Sequence, residues 1–158
     1  MRSSLRRTAA ALTLAALTFA LAPARAADVA PPQSLLTSVP GSPRIRPPID
    51  GLGAFEGDTI DEESSLVSLR VEVLNPLGMS KTYEVRALGS TYSSPSNGFV
   101  ILSNSDGGKA WTWRWISPSL DPHLVVPGRY VVVFLGIDAS GNREGPVGGR
   151  NTAEVVLL

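Results

Sequence analysis

The chain has no cysteine and a single histidine, and these two shortages exclude several kinds of chemistry. Without cysteine there is no disulfide, thiol nucleophile, iron–sulfur centre or cysteine-linked lipid anchor. His123 would have to be the base of any Ser/His/Asp site, but no G-x-S-x-G motif accompanies it and Asp121-Pro122-His123 is typical of a loop. One histidine among scattered carboxylates does not indicate a zinc site. The sequence therefore indicates a protein that is not an enzyme, and it predicts no cofactor and no metal.

Long apolar runs are also scarce, and the one that exists lies at the N-terminus. Three arginines within the first seven residues precede an uncharged Ala/Leu-rich run, Ala9–Ala22, and Ala24-Arg25-Ala26 follows with small residues at its first and third positions. This three-part pattern is typical of a secretory signal peptide. As a helix the run would span about 21 Å, less than the ~30 Å hydrocarbon core of a bilayer. We expect cleavage after Ala26 and an exported mature chain, periplasmic or secreted, without a membrane span.

The mature chain has no excess of positive charge. Removing residues 1–26 leaves 10 Lys and Arg against 14 Asp and Glu, a net charge of −4. An acidic chain gains nothing from neutralising phosphates, so we expect no nucleic-acid partner. The 132 residues that remain are enough for one domain.

Helical periodicity is missing after residue 26, and alternation with a period of two replaces it. Residues 27–57 are rich in proline and then acidic, which predicts a linker, with Arg44-Ile45-Arg46 as a candidate first edge strand. The folded domain is expected over residues 58–158. Turn signals separate six predicted strands, at 66–74, 82–88, 99–102, 110–116, 129–138 and 153–158. This pattern predicts an all-β, antiparallel two-sheet sandwich of about seven strands, with a small closed β-barrel as the alternative.

Two short motifs resemble those of bacterial immunoglobulin-like and fibronectin-III-like sandwich modules. They are Pro127-Gly128-Arg129-Tyr130, which opens a long strand, and Asp138-Ala-Ser-Gly-Asn142, which closes it. The resemblance covers roughly residues 44–158. It implies an immunoglobulin-like sandwich in which the Tyr130 hydroxyl bonds back to upstream backbone. It also implies a role in holding, spacing or binding rather than in catalysis.

Three tryptophans on one predicted strand are the most unusual feature of the domain. Trp111, Trp113 and Trp115 are spaced by two residues, which places all three side chains on one face. Packing that face into the core avoids a cost of roughly 4–6 kcal/mol for each exposed indole. Alternatively, an exposed face would form an aromatic ladder that stacks on the sugar rings of a cell-wall glycan. Both alternatives remain open from the sequence.

A glycine-rich segment at residues 139–150 offers a second candidate for binding. Its charged members, Arg143, Glu144 and Arg150, form a candidate partner loop, and a flexible loop that tolerates insertion is the simpler interpretation. The terminal strand, 153–158, is expected at an exposed sheet edge. The favoured function is therefore a non-catalytic module of the bacterial cell envelope that binds a protein partner through a sheet edge or this loop. A glycan-binding module is the alternative.

Two groups of oxygen-bearing side chains fall in predicted loops. Asp138, Asn142 and Glu144 form one group, and Asn104 and Asp106 form the other. Calcium takes six to eight oxygen ligands, and neither loop has a dense run of acidic residues. Turn formation explains these residue types without a metal, so the sequence predicts no calcium site.

Overall fold

The computed structural model describes residues 27–45, 51–88, 91–93 and 97–158, and the signal peptide expected at residues 1–26 lies outside them. The described chain is all-β apart from two short 3-10 helices, Asp106–Gly108 and Pro122–Leu124. No helix in this part of the chain has the length and apolar character needed to cross a membrane. The described strands are β1 Gln33–Ser38, β2 Ala54–Ile60, β3 Leu66–Leu74, β4 Ser80–Leu88, β5 Thr91–Ser93, β6 Phe99–Ser105, β7 Ala110–Ile116, β8 Gly128–Asp138 and β9 Thr152–Leu157.

The strands form two antiparallel sheets, which confirms the all-β, two-sheet expectation. The four-stranded sheet has the order β1-β2-β7-β6, and the five-stranded sheet has the order β5-β4-β3-β8-β9. Their inner faces meet through aromatic rings: Phe134 of β8 stacks on Trp113 of β7, with ring centroids 4.6 Å apart. Phe134 also lies 5.5 Å from Phe55 of β2. The core therefore lies between the two sheets.

The predicted alternation holds where the strands pair regularly. In β4 the side chains of Tyr83 and Val85 are buried, as a period of two requires. In β3 the alternation holds for Leu69, Val71 and Val73, which are fully buried.

The first residues of β3 depart from this alternation because of a β-bulge. The register with β8 shifts between Leu66 and Ser68, so that Val67 becomes the extra residue of the bulge. Leu66 and Ser68 are buried and Val67 is exposed, whereas an unbroken alternation would place Val67 on the buried face with Leu69. A single inserted residue is enough to exchange the two faces of a strand.

The linker expected over residues 27–57 is corrected by the structure, because it contains β1 and half of β2. β2 lies between β1 and β7, and Phe55 in it is fully buried. Pro31 and Pro32 come just before β1 and so do not interrupt its ladder. Arg44 of the candidate edge strand forms an isolated parallel bridge with Leu157 of β9, and Arg46 lies outside the described residues.

Gly57 explains why β2 was hard to recognise from the sequence. It lies at the middle of the strand, opposite Trp113 of β7. A Cβ at this position would lie 2.5 Å from Cζ2 of Trp113 and 2.5 Å from the carbonyl oxygen of Leu35 in β1. The glycine is therefore required by close packing, and it weakens the strand signal for the same reason.

Candidate functional site

The three tryptophans lie in the core, which corrects the hypothesis of a ligand-binding face. Trp111, Trp113 and Trp115 are each at most 1% exposed. The Trp113 indole N–H donates to Thr59 Oγ1 at 3.0 Å, and that of Trp115 donates to the carbonyl oxygen of Asn97 at 2.8 Å. A sugar ring stacks on an accessible aromatic face, and these indoles have none.

Glu144 of the predicted partner loop is a structural anchor. It is 3% exposed, and its Oε1 accepts hydrogen bonds from the Ser34 amide at 2.8 Å and from Arg150 at 2.9 Å. Its Oε2 accepts from the Gly136 amide at 3.2 Å. These bonds join the loop to β1 and β8. This role could not be predicted from the sequence, because Ser34 is 110 residues away and lies in the segment expected to be a linker.

The other two residues of that loop differ in accessibility. Arg143 is exposed, whereas Arg150 is half-buried against Glu144. The Arg150 carbonyl also accepts from the Leu36 amide of β1 at 2.8 Å. The loop is thus held at both ends, and Arg143 is the predicted site residue that it presents to solvent.

Within the described residues, segments of the chain itself cover two of the four sheet edges, β1 and β9. The amides of Ser34 and Leu36 in β1 bond to the 139–150 loop, as described above. At β9, the Arg44 amide donates to the Val156 carbonyl at 2.8 Å, and the Leu158 amide donates to the Arg44 carbonyl at 2.9 Å. The terminal strand therefore lies at a sheet edge as expected, but residues 42–44 cover its last part.

β6 forms an edge of a different kind. Within the described part of the chain it has a strand partner on one side, β7. The Ile116 amide donates to the Gly98 carbonyl at 2.9 Å, so the alternation of an antiparallel pair directs the main-chain groups of Ile101 away from β7. Val100 and Leu102 are 49% and 52% exposed. Leu102 is the extra residue of a bulge, because the register with β7 shifts between Ile101 and Ser103.

An exposed apolar surface runs along this edge. We call Val100, Leu102 and Ile116 the β6 strip; Ile116 belongs to the neighbouring strand β7 and is 41% exposed. Beside the strip, Arg114 and Glu56 form an ion pair with Nε and Oε1 2.6 Å apart. The charges next to the strip therefore compensate each other, and the strip itself is uncharged.

The single histidine supports the fold at a second cluster of polar side chains. Nε2 of His123 lies 2.9 Å from the Val73 carbonyl and donates to it, because a carbonyl oxygen only accepts. Asp121 accepts from the His123 amide, from Lys81 Nζ at 2.6 Å and from the Tyr83 hydroxyl at 2.8 Å. These bonds hold the 3-10 helix at Pro122–Leu124 against β3 and β4.

The same contacts shift two pKa values. Burial alone would raise the pKa of Asp121, but the Lys81 ammonium and the donors from His123 and Tyr83 outweigh it and hold the pKa below its usual value. Burial raises the pKa of Tyr83 far above its usual value, and the adjacent Asp121 carboxylate raises it further. At neutral pH Asp121 is therefore ionised and Tyr83 is protonated.

The two loops with groups of oxygen-bearing side chains form turns. Asp138 accepts from the Asn142 amide and from its Nδ2, each at 2.8 Å, which closes the turn after β8. Asn104 and Asp106 are exposed, and Asp106 has a positive φ of 51°. Asp138 is buried, unlike Asp106.

Comparison of the chain with models of known protein families and with curated protein sequences gives no match in either case.

Proposed function

We propose that this protein is a non-catalytic, exported binding module of the bacterial cell envelope, and that it engages a protein partner through the β6 edge. The observation that carries the proposal is the contrast between edges. The chain covers β1 and β9 with its own segments, whereas β6 presents two half-exposed apolar side chains beside main-chain groups directed away from β7. An edge of this kind favours the addition of a strand from a partner.

The bulge at Leu102 limits how a partner strand can pair. It interrupts the ladder between Ile101 and Ser103, so regular pairing is favoured before the bulge rather than along all of β6. The apolar side chains of the β6 strip would then contact the partner's side chains, and the main chain near Ile101 would supply hydrogen bonds.

Export and an immunoglobulin-like domain belong to the same proposal. Export is supported by the signal-peptide pattern of residues 1–26. The domain type is supported by the Tyr130 hydroxyl, which donates to the Val126 carbonyl at 2.7 Å, the corner contact that the resemblance implies. We do not propose glycan binding through the tryptophans, because their rings are buried.

The test is a capture experiment with matched variants. The tagged protein is used to capture proteins from the solubilised envelope of its host, and each captured protein is purified and its binding to the tagged protein is measured. We expect the double variant V100K/L102K to lose at least tenfold in affinity, because two charges would face the partner strand.

Leu120 provides the matched control, since it is 93% exposed and lies in a loop outside β6. L120K makes the same change from a large apolar side chain to lysine, and we expect it to bind as the unmodified protein does. Equal binding by V100K/L102K, or the absence of a stoichiometric partner, would contradict the proposal.

A further inference from the structure

Three aspartates from distant parts of the sequence meet at one end of the molecule. Asp28 precedes β1, Asp61 follows β2 and Asp138 ends β8. One carboxylate oxygen of each lies within 4.8 Å of the other two. Asp61 is 4% exposed and Asp138 is 1% exposed, and Asp28 is half-buried. We call this group the acidic cluster. It could not be predicted from the sequence, because its members are 33 and 77 residues apart.

Several buried oxygens in this region lack the hydrogen bonds that burial normally requires. Asp61 Oδ1 accepts from the amides of Glu63 and Ser64, at 2.8 and 2.6 Å, but Asp61 Oδ2 has no partner among the described residues. The same holds for Asp28 Oδ2 and for the Ser64 hydroxyl. A buried carboxylate oxygen without a donor is costly, and nearly all such atoms in folded proteins are bonded.

Among the described residues, no cationic side chain is paired with the cluster. None of the ion pairs formed within the described residues involves Asp28, Asp61 or Asp138. Ionised carboxylates this close together repel one another, and a cation bound between them relieves that repulsion.

We propose that Asp28, Asp61 and Asp138 bind one Ca²⁺ ion. Two oxygens that each lie about 2.4 Å from the same ion are at most about 4.8 Å apart, so the separations within the cluster suit a shared calcium. The unbonded Oδ2 atoms of Asp28 and Asp61 are the natural ligands, and the Ser64 hydroxyl and water would complete a set of six to eight.

Calcium fits better than the other common cations. All candidate ligands are oxygens, whereas zinc prefers nitrogen and sulfur. Magnesium requires near-ideal octahedral geometry, which three carboxylates from three irregular segments do not readily supply. The ion would join the chain ahead of β1 to the ends of β2 and β8, and would thus fix the N-terminal segment to both sheets. This inference does not depend on the proposed function.

The test is calcium binding by the purified protein after treatment with a chelator. Isothermal titration with Ca²⁺ is expected to give one saturable site, and the melting temperature should rise by roughly 5 °C or more at a hundredfold excess over Kd. D61N should lower the affinity at least tenfold. In chelator alone, D61N should melt no lower than the unmodified protein, because it removes one of three repelling charges.

Glu62 supplies the control, since it is the neighbour of Asp61 and its side chain is exposed. E62Q removes the same charge from the same region and should bind Ca²⁺ normally. If D61N does not fold, D28N serves as the second variant, because Asp28 lies outside the strands. No saturable binding up to about 5 mM Ca²⁺, unchanged binding in both D61N and D28N, or equal affinity for Mg²⁺ would each overturn the proposal.

Discussion

At the scale of single residues, Trp113 shows how one side chain joins the two sheets. Its ring stacks on Phe134 of the opposite sheet, and its indole N–H is bonded to Thr59 of the neighbouring strand. A tryptophan whose polar atom has a partner contributes its full apolar area without leaving a buried donor unpaired. The large energetic cost of exposing an indole explains why the tryptophans of β7 pack in the core and do not form an exposed glycan-binding face.

Replacing Trp113 with alanine should be strongly destabilising. Removal of a fully buried indole leaves a cavity and takes away the hydrogen bond to Thr59 Oγ1, so we expect W113A to lose about 3–5 kcal/mol of unfolding free energy. Urea denaturation measures this directly. T112A, on the opposite face of the same strand, should lose no more than about 1 kcal/mol. A loss as small as that in W113A would contradict the position of the indole in the core.

At the scale of elements, the sequence predicted strands well where alternation is regular. In β7 every second side chain is apolar and buried, and Tyr83 and Val85 follow the same alternation in β4; the bounds predicted for β7 are those observed. The bulge at Val67 could not be predicted, because it depends on pairing with β8. β1 and β2 were missed for another reason: Pro31 and Pro32 indicate a linker, and Gly57 and Asp58 weaken the strand signal in β2.

The candidate sites, like the strands, were only partly predictable from the sequence. The sequence predicted the 139–150 loop as a candidate for binding, but it predicted no calcium site at Asp138. The anchoring role of Glu144 and the proposed calcium role of Asp138 both depend on residues more than 75 positions away. The β6 edge could not be found from the sequence, because an edge is defined by which strands lie beside it.

Gly57 provides a test at this scale, because three strands meet there. We expect G57A to lose about 1–3 kcal/mol of unfolding free energy, since its Cβ would overlap the Trp113 ring and the Leu35 carbonyl. G145A is the matched control, because a Cβ at Gly145 would meet no atom within 4 Å. Thermal melts of the two variants give the comparison. Equal stability of G57A and G145A would contradict the close packing of β1, β2 and β7.

At the scale of the whole molecule, Asp121 should make stability depend on pH. Its pKa is lowered in the folded state, so its contribution is fully present above the usual aspartate pKa of about 3.9 and is lost as the pH falls through the lower value. We therefore expect D121N to be less stable than the unmodified protein at pH 7, and the difference to shrink as the pH falls below about 4. Melting temperatures measured across this range check it, and a constant difference would contradict the assignment.

The whole molecule also presents two ends of different character. The acidic cluster and the anchored 139–150 loop both attach the N-terminal segment to the sandwich, whereas the β6 strip lies on the edge of the four-stranded sheet farthest from β1. We propose that the acidic cluster and the 139–150 loop stabilise the domain, and that the β6 strip binds the partner. The two roles can therefore be tested separately, since V100K/L102K should leave calcium binding unchanged.

The most direct test of the proposed function is amide hydrogen exchange in the free protein and in its complex with the captured partner. We expect the Ile101 amide to exchange fast in the free protein and to become protected in the complex, because it lies on the side of β6 away from β7. The amides of β9 should not change. Protection confined to the 139–150 loop or to β9, with none in β6, would contradict binding through the β6 edge.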